Sequence, residues 1–308
     1  MKLKALSKYD GDVDTRYGDC IMLYDDTSLI VYDCGHSRHA EEVEDFLQKF
    51  LIKQVSIVIS HNDSDHTNGI LDLMEYLYEH GYTVTVYSAL YLKNTKEILD
   101  ILDDKRRTSE KTKEHILEMF NKIREIVEQA QEYGFSVENA EVNTKIFSGT
   151  IVGPTVEEFT KVVAAAVESG EASTKIDGET VMNAASIQLK IKLETADLIL
   201  LCGDATPEYL HNLDIYNIIQ LPHHGKLESA KKIFEALEDS HSKEYLISDN
   251  TGSGETSGGS DDTVEYMKDE RYSPALSTKN KIVDIPSSVA TAIRETRRVK
   301  LGEMDNKC

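Results

Sequence analysis

Short apolar segments alternate with polar turns along most of the 308-residue chain, a pattern that predicts β-strands interleaved with helices. Val55–Ser60 is rich in β-branched residues, which is typical of a buried strand. Residues 70–77 then repeat apolar side chains at helical spacing, and Gly81 ends the predicted helix. The short polar loop between this strand and this helix is therefore fixed at both ends.

The same reasoning predicts further strands and one more amphipathic helix. A hairpin is expected around the turn Asp25–Ser28, and the helix over Glu41–Leu51 places its apolar residues on one face. The other predicted strands are Cys20–Tyr24, Leu29–Tyr32, Thr83–Tyr87, Ser186–Leu193, Leu198–Cys202, Ile218–Leu221 and Tyr245–Ser248. Strands mixed with helices in this way predict an α/β fold.

A charged helical segment interrupts this pattern between the predicted strand that ends at Tyr87 and the later strands. One helix is expected over Thr95–Asp103, and a second begins near Thr108. The second carries an apolar seam typical of a helical hairpin or coiled coil. We predict a helical-hairpin insertion at about 94–133 within a single domain spanning 1–308. It can serve as a cap on the domain, a lid, or a contact for self-association or for a protein partner.

Charge and cysteine content narrow the functional classes. Fifty-five acidic and thirty-four basic residues give a net charge of −21, which repels polyanions at long range. Candidate cations for a nucleic acid are residues 105–113 and 294–300, although solvated helix surface is the simpler explanation of them. Four cysteines without paired spacing, the absence of a leader and the lack of any long apolar run predict a cytoplasmic protein without membrane contact.

The polar loop after Val55–Ser60 contains four residues that can bind a divalent cation. His61, Asp63, Asp65 and His66 place imidazoles and carboxylates within six positions. Four such donors can serve two ions. The alternative is a polar surface turn, since asparagine, aspartate, serine and glycine favour turns.

Other core strands end in the same kinds of residue. Asp204 follows Leu198–Cys202 and a glycine, and His223 and His224 follow Ile218–Leu221. Asp33 follows an early strand, where it can cap amides, support a ligand histidine or simply form a turn. Because sheets gather strand ends along one edge, we expect these side chains to converge.

Together these motifs resemble the metallo-β-lactamase superfamily, and in particular its ComEC-like branch. The resemblance rests on His61-x-Asp63-x-Asp65-His66 with Gly69, on Gly203-Asp204, and on His223-His224-Gly225. Tyr17-Gly-Asp-Cys20 and Tyr32-Asp-Cys-Gly35 fit the early strands of that family. It covers roughly residues 10–250 without the insertion. The fold that it implies is an αββα sandwich with a two-metal site along one edge.

The resemblance also implies a role for each candidate residue. His61 and Asp63 would hold a first ion, Asp65 and His66 a second, Asp204 would bridge them, and His224 would be the last ligand. Asp65 would also orient the attacking water. His223 would point elsewhere, either to protonate a leaving group or grip a phosphate, or to support the site. Asn183 stands where most members have a further histidine.

These expectations give three functional hypotheses. The first is a phosphodiesterase, a nuclease in particular, that uses two Zn²⁺ or Mn²⁺ ions to activate water. The second keeps the ions but has a small phosphoester or a cyclic nucleotide as substrate. The third is a non-catalytic subunit that binds a partner through the insertion.

Overall fold

Two β-sheets form the centre of the molecule. The computed structural model describes residues 1–6, 17–89, 120–169, 175–176, 179–248 and 260–286. In chain order, the strands are β1 Lys2–Leu6, β2 Cys20–Tyr24, β3 Ser28–Tyr32, β4 Gln54–Val58, β5 Thr83–Ser88, β6 Ser136–Asn139, β7 Lys145–Ile146, β8 Gly149–Gly153, β9 Lys175–Ile176, β10 Glu179–Thr180, β11 Gln188–Lys192, β12 Leu198–Leu201, β13 Ile218–Gln220, β14 Glu244–Ile247, β15 Leu276–Ser277 and β16 Val283–Ile285.

The helices connect these strands and cover the outer faces of the sheets. They are α1 Ser37–Lys49, α2 Ser64–Thr67, α3 Ile70–Glu79, α4 Asn121–Glu132, α5 Val156–Ser169, α6 Val181–Ala184, α7 Leu227–Ala236 and α8 Asp261–Asp269. Short 3₁₀ turns lie at Pro207–Tyr209, Leu213–Ile215 and Ser240–Ser242. None of the helices in the described ranges combines the length and the apolar character needed to cross a membrane.

Each large sheet has seven strands and contains both parallel and antiparallel pairs. The first has the order β16-β1-β2-β3-β4-β5-β6, and β3 to β6 run parallel to one another. The second has the order β15-β14-β13-β12-β11-β8-β7, and β12 to β15 are parallel. A separate two-stranded sheet pairs β9 with β10. The ends of parallel strands in each sheet share one edge, which is where ligands commonly bind.

The sandwich follows from which residues are buried together. One apolar cluster joins inward-facing residues of both sheets, such as Ile21, Ile30, Leu189 and Ile199. The hydroxyl of Tyr32 donates a hydrogen bond of 2.5 Å to the carbonyl of Ile187 between the sheets. A second cluster lies under α1, α3 and α4 on the outer face of the first sheet, and a third lies under α7 and α8 on the second. The predicted α/β fold with αββα layers is thereby confirmed.

The predicted insertion falls largely outside the described residues. Residues 94–119 belong to the undescribed part, and α4 begins at Asn121, well after the predicted helix start near Thr108. Ile123, Ile126 and Ala130 of α4 are buried against the first sheet, whereas the apolar seam was predicted to pack in a helical hairpin or coiled coil. The hairpin and its contacts remain predictions. The basic positions at 105–113 and 294–300 likewise lie outside the described ranges.

Candidate metal centre

The candidate ligands lie at one edge of the sandwich, where the parallel strands end. His61 stands just beyond β4, Asp204 just beyond β12 and His224 just beyond β13. Gly203 adopts a φ of +51°, and a Cβ there would lie 2.9 Å from the Ser60 Oγ. Glycine is therefore required where the end of β12 passes the loop that follows β4.

The first group of ligands surrounds Asp204. The Nε2 of His61 lies 3.9 Å from the Asp204 Oδ2 and 3.8 Å from the Asp63 Oδ2. The Nε2 of His66 lies 3.4 Å from the Asp204 Oδ1. His61, His66 and Asp204 are buried, and their ligand atoms lie within 4.8 Å of one another. A cation can therefore contact all three.

The second group of ligands adjoins the first. The Nε2 of His224 lies 3.3 Å from the Asp65 Oδ2, and the His66 and His224 rings are 5.3 Å apart. Asp65 and His66 share the short helix α2, whereas His224 comes from the second sheet. The structure therefore brings together all six residues that the sequence singled out as ligands, namely His61, Asp63, Asp65, His66, Asp204 and His224.

Two of the histidines are fixed through the ring nitrogen that faces away from the site. The Nδ1 of His61 lies 2.9 Å from the Ser60 Oγ and 3.2 Å from the Ser186 Oγ. The Nδ1 of His66 lies 2.8 Å from the Asp33 Oδ2. Asp33 also accepts hydrogen bonds from the backbone N–H and the hydroxyl of Ser60. Asp33 therefore has two of the roles that the sequence allowed, since it accepts a hydrogen bond from a backbone amide and orients a ligand histidine.

His224 is fixed in the same way, by a residue that the sequence analysis did not single out as part of the site. Its Nδ1 lies 3.1 Å from the Asp19 Oδ1 and 2.9 Å from the carbonyl oxygen of Ser248. The other oxygen of Asp19 accepts a 2.7 Å hydrogen bond from the Gln220 Nε2. Asp19 lies close enough to His66 and His224 to count as a ligand, but both of its oxygens are already used. We therefore assign it to the orientation of His224.

Gln220 extends this network to the Asp204 loop. Its Oε1 accepts hydrogen bonds of 2.9 Å from the Cys202 N–H and 3.3 Å from the Gly203 N–H. The buried Gln220 side chain thus connects the backbone immediately before Asp204 in the sequence with the Asp19 carboxylate, which holds His224. The sequence contained a signal for it, because a glutamine inside the apolar run Ile218–Leu221 must find partners if it is buried.

The chemistry of the site fits a divalent cation. The His61 Nε2, the His66 Nε2 and the Asp204 Oδ1 are buried and have no hydrogen-bond partner among the described residues. Unpartnered buried polar atoms are costly, and in this case they belong to the residue types that bind zinc and manganese. The other nitrogen of each of these two rings is already held. Each ring therefore presents its Nε2 to the same space.

The electrostatics agree with this assignment. Burial alone would raise the pKa of Asp204, but the positive charges of His66 and His224 hold that pKa well below its usual range. Burial opposes protonation of His66, yet Asp204 and Asp33 raise its pKa well above its usual range. Burial lowers the pKa of His61. The Asp204 carboxylate is thus ionised at neutral pH, and a cation would displace the proton of His66.

Asn183 is part of the site but serves Asp204. Its Nδ2 donates a 3.1 Å hydrogen bond to the Asp204 Oδ2, and its Oδ1 accepts one of 2.5 Å from the Thr180 hydroxyl. Both ends of the buried amide are therefore occupied by the protein. Asn183 fixes the orientation of Asp204, and a role as an additional ligand has no support in this geometry.

His223 and His224 do not continue β13 as an extended chain, in which consecutive residues would face opposite ways. Instead, both adopt left-handed backbone conformations, with φ of 53° and 54°, inside the turn Pro222–Gly225. The rings still diverge, with an interplanar angle of 86°, and only His224 is fully buried. His223 therefore lies beside the ligand group, at its half-buried margin.

Comparisons with known proteins find similarity in structure only. No protein-family profile matches the chain, and no curated protein matches it in sequence. The metallo-β-lactamase fold protein YhfI from Bacillus subtilis is 10% identical, with a TM-score of 0.41 over 80% of this chain and 84% of that one. The short form of human tRNase Z is 11% identical, with a TM-score of 0.37 over 75% and 80%. A Cronobacter sakazakii metallo-β-lactamase is 13% identical, with a TM-score of 0.30 over 64% and 61%.

Proposed function

We propose that this chain is a metal-dependent phosphodiesterase that uses two divalent cations and acts on nucleic acid. The observation that carries the proposal is the set of buried, unpartnered ligand atoms on His61, His66 and Asp204. In this proposal, His61 and Asp63 hold the first ion. Asp65, His66 and His224 hold the second, and Asp204 contacts both.

The donor set favours hydrolysis of a phosphoester. Three carboxylates and three imidazoles make an oxygen-rich site that suits Mn²⁺ as well as Zn²⁺. When bound, such ions polarise a phosphodiester and make water a nucleophile at neutral pH. Burial would raise the pKa of Asp65, but His224 and His66 hold it far below its usual range, so Asp65 stays ionised. In that state it can orient the attacking water.

His223 is the candidate for the proton that the leaving oxygen requires. It is half-buried beside the ligands, whereas the Nδ1 of His224 is already held by Asp19. A histidine side chain that reaches the leaving oxygen can donate a proton to it. The alternative is that His223 supports the turn alone. Replacement by glutamine would separate these roles, because it removes the basic limb of the pH–rate profile only if His223 is the proton donor.

The net charge favours a second candidate substrate, a small phosphoester or a cyclic nucleotide. At −21, the chain repels a long polyanion, whereas a small anion needs only the cations and a few donors. Both candidates use the same site and the same chemistry. The two substrates differ in how much of the protein surface around the site they must contact.

One experiment tests the proposal. The purified chain is stripped with a chelator, reloaded separately with Mn²⁺ or Zn²⁺, and assayed on bis-p-nitrophenyl phosphate, cyclic nucleotides, and single- and double-stranded DNA and RNA. Asp65→Ala is the inactive variant, and Asp269→Ala, on the exposed end of α8, is the matched control. We expect metal-dependent cleavage of nucleic acid by the wild type and the control, and none by Asp65→Ala.

Each other outcome has a defined meaning. Activity on the small esters alone supports the second candidate. Activity unchanged in Asp65→Ala overturns the proposed mechanism. A chain that retains no cation after reloading, yet captures a partner through residues 94–133, supports the non-catalytic subunit.

A further inference from the structure

Asn62 stands between two candidate ligands, but its side chain turns away from them. It separates His61 from Asp63, and its carboxamide contacts the first turn of α4. The Oδ1 of Asn62 accepts hydrogen bonds of 3.0 Å from the Lys122 N–H and 3.1 Å from the Ile123 N–H. Its Nδ2 donates one of 3.3 Å to the Asn121 Oδ1. The ligand loop is thereby joined to a helix about 60 residues later in the sequence.

These bonds complete the cap of α4, which supplies an acceptor of its own only for the Lys122 N–H, the Asn121 Oδ1 at 2.8 Å. The first four N–H groups of a helix have no partner within the helix, and a side chain just before it usually accepts the second or third. Phe120 precedes α4 and makes no side-chain cap. Asn62 accepts from those two N–H groups instead. Since Ile123 and Ile126 pack against the first sheet, the capped end is held in place.

The two ligands beside Asn62 differ in how well they are supported. His61 is buried, and its ring is held by Ser60 and Ser186. The Asp63 side chain is 42% exposed and does not cap α2, although Asp63 precedes that helix. Among the residues that the structure describes, the hydrogen bonds to Asp63 are made to its carbonyl, from the Thr67 hydroxyl and the His66 N–H. The direction of the Asp63 carboxylate therefore depends on the backbone that Asn62 fixes.

We propose that Asn62 is a positioning residue that makes cation binding at the Asp63 side of the site depend on the docking of α4. The inference rests on the proposed function, because it requires that His61 and Asp63 hold an ion. It connects the site to the helix that ends the predicted insertion. By reciprocity, an ion at His61 and Asp63 also stabilises the first turn of α4.

The test uses two substitutions at Asn62 and one control. Asn62→Ala removes the cap, whereas Asn62→Asp places a carboxylate oxygen where the carboxamide oxygen stands, and aspartate caps helices as well as asparagine does. Asn217→Ala is the matched control. The Asn217 Oδ1 also accepts a backbone N–H, from Leu198 at 2.9 Å, but at the end of β12 remote from Asp204.

Hydrogen exchange measures the cap without any metal. In the chelator-treated protein, we expect the Ile123 amide to exchange about fivefold faster in Asn62→Ala, which corresponds to loss of an ordinary cap. The Lys122 amide should change less, because the Asn121 Oδ1 also accepts its N–H, at 2.8 Å. Asn62→Asp and Asn217→Ala should match the wild type at these amides. Added Mn²⁺ should slow their exchange in the wild type and have less effect in Asn62→Ala.

Calorimetric titration with Mn²⁺, and separately with Zn²⁺, measures the coupling. We expect Asn62→Ala to weaken one of two binding events about tenfold and to leave the other unchanged. Asn62→Asp should restore at least the wild-type affinity, because its added negative charge also attracts the cation. Faster amide exchange with both affinities unchanged would reduce Asn62 to a helix cap and overturn the inference. A wild type that binds no cation would overturn the proposed function and the coupling together. A wild type that binds two, beside an identical Asn62→Ala, would overturn the coupling alone.

Discussion

Replacing Gly18 with alanine should displace Asp65. Gly18 has a φ of +65°, and a Cβ on it would lie 1.7 Å from the Asp65 carbonyl oxygen, where real Cβ atoms essentially never approach closer than 3.0 Å. The two backbones must therefore separate by more than about 1 Å. They are joined at this point by a hydrogen bond of 3.0 Å from the Asp19 N–H to the Asp65 carbonyl. Neither side can move without shifting a residue of the site.

Two costs follow from this collision. The left-handed conformation costs an alanine about 1–2 kcal/mol, and the forced separation adds about 1–3 kcal/mol, as overpacking generally does. A misplacement of about 1 Å at a reacting group lowers a rate by roughly 100-fold. We therefore expect Gly18→Ala to lose both stability and activity, with the activity lost even where the protein remains folded.

Gly81→Ala separates these costs. Gly81 has nearly the same conformation, with a φ of +68°, but a Cβ on it would meet nothing within 4 Å. It should therefore lose only the backbone contribution of about 1–2 kcal/mol. Urea denaturation gives the stability of both variants, and metal content with phosphodiester hydrolysis reports on the site. If Gly18→Ala is no less stable than Gly81→Ala and keeps its cations, the reasoning about this close approach is wrong.

Three further predictions concern single side chains. Asp204→Ala should abolish retention of both cations, measured as metal content after dialysis, while circular dichroism shows the fold intact. Gln220→Ala should cost about 1–3 kcal/mol in urea denaturation, because the buried Asp19 carboxylate and two N–H groups lose their partner. Burial lowers the pKa of His39 from 6.5 to about 3, so the unfolded chain binds its proton more tightly. The contribution of neutral His39 to the free energy of unfolding is complete above pH 6.5 and is lost as the pH falls towards 3, by about 2 kcal/mol between pH 7 and pH 5. Between these two pH values, the free energy of unfolding of His39→Leu should therefore fall by about 2 kcal/mol less than that of the wild type. Equal decreases in the two proteins would contradict this prediction.

The ligands could be predicted because they obey a local rule. His61, Asp204 and His224 each follow an apolar strand, and the carboxyl ends of parallel strands meet at one edge of a sheet. Asp33, which holds His66, follows β3 and obeys the same rule, but the residue that holds His224 does not. Asp19 precedes a strand, and its contact with His224 joins positions 205 residues apart. Such contacts depend on how the two sheets pack, which a single sequence does not state.

Backbone conformation was the second feature that sequence patterns missed. The apolar run Ile218–Leu221 predicted a strand with the paired histidines after it, but not that the chain turns left-handed at His223 and His224. A histidine in the left-handed region of φ/ψ space has a less favourable backbone energy, which the surrounding structure must offset. Local sequence preference therefore did not predict this turn. The sequence did not indicate the cap that Asn62 provides for α4 either, because a helix cap is normally a residue just before the helix and Asn62 is about 60 residues away.

The division of the ligands between the two sheets has a consequence for handling the protein. His61, Asp63, Asp65 and His66 come from the first sheet, whereas Asp204 and His224 come from the second. A cation bound by ligands of both groups would link the two sheets of the sandwich and would stabilise the folded state by mass action. Chelators in a purification buffer would then lower the stability of the folded protein as well as its activity. Thermal melting before and after reloading with the cation would detect this link between the sheets without any substrate.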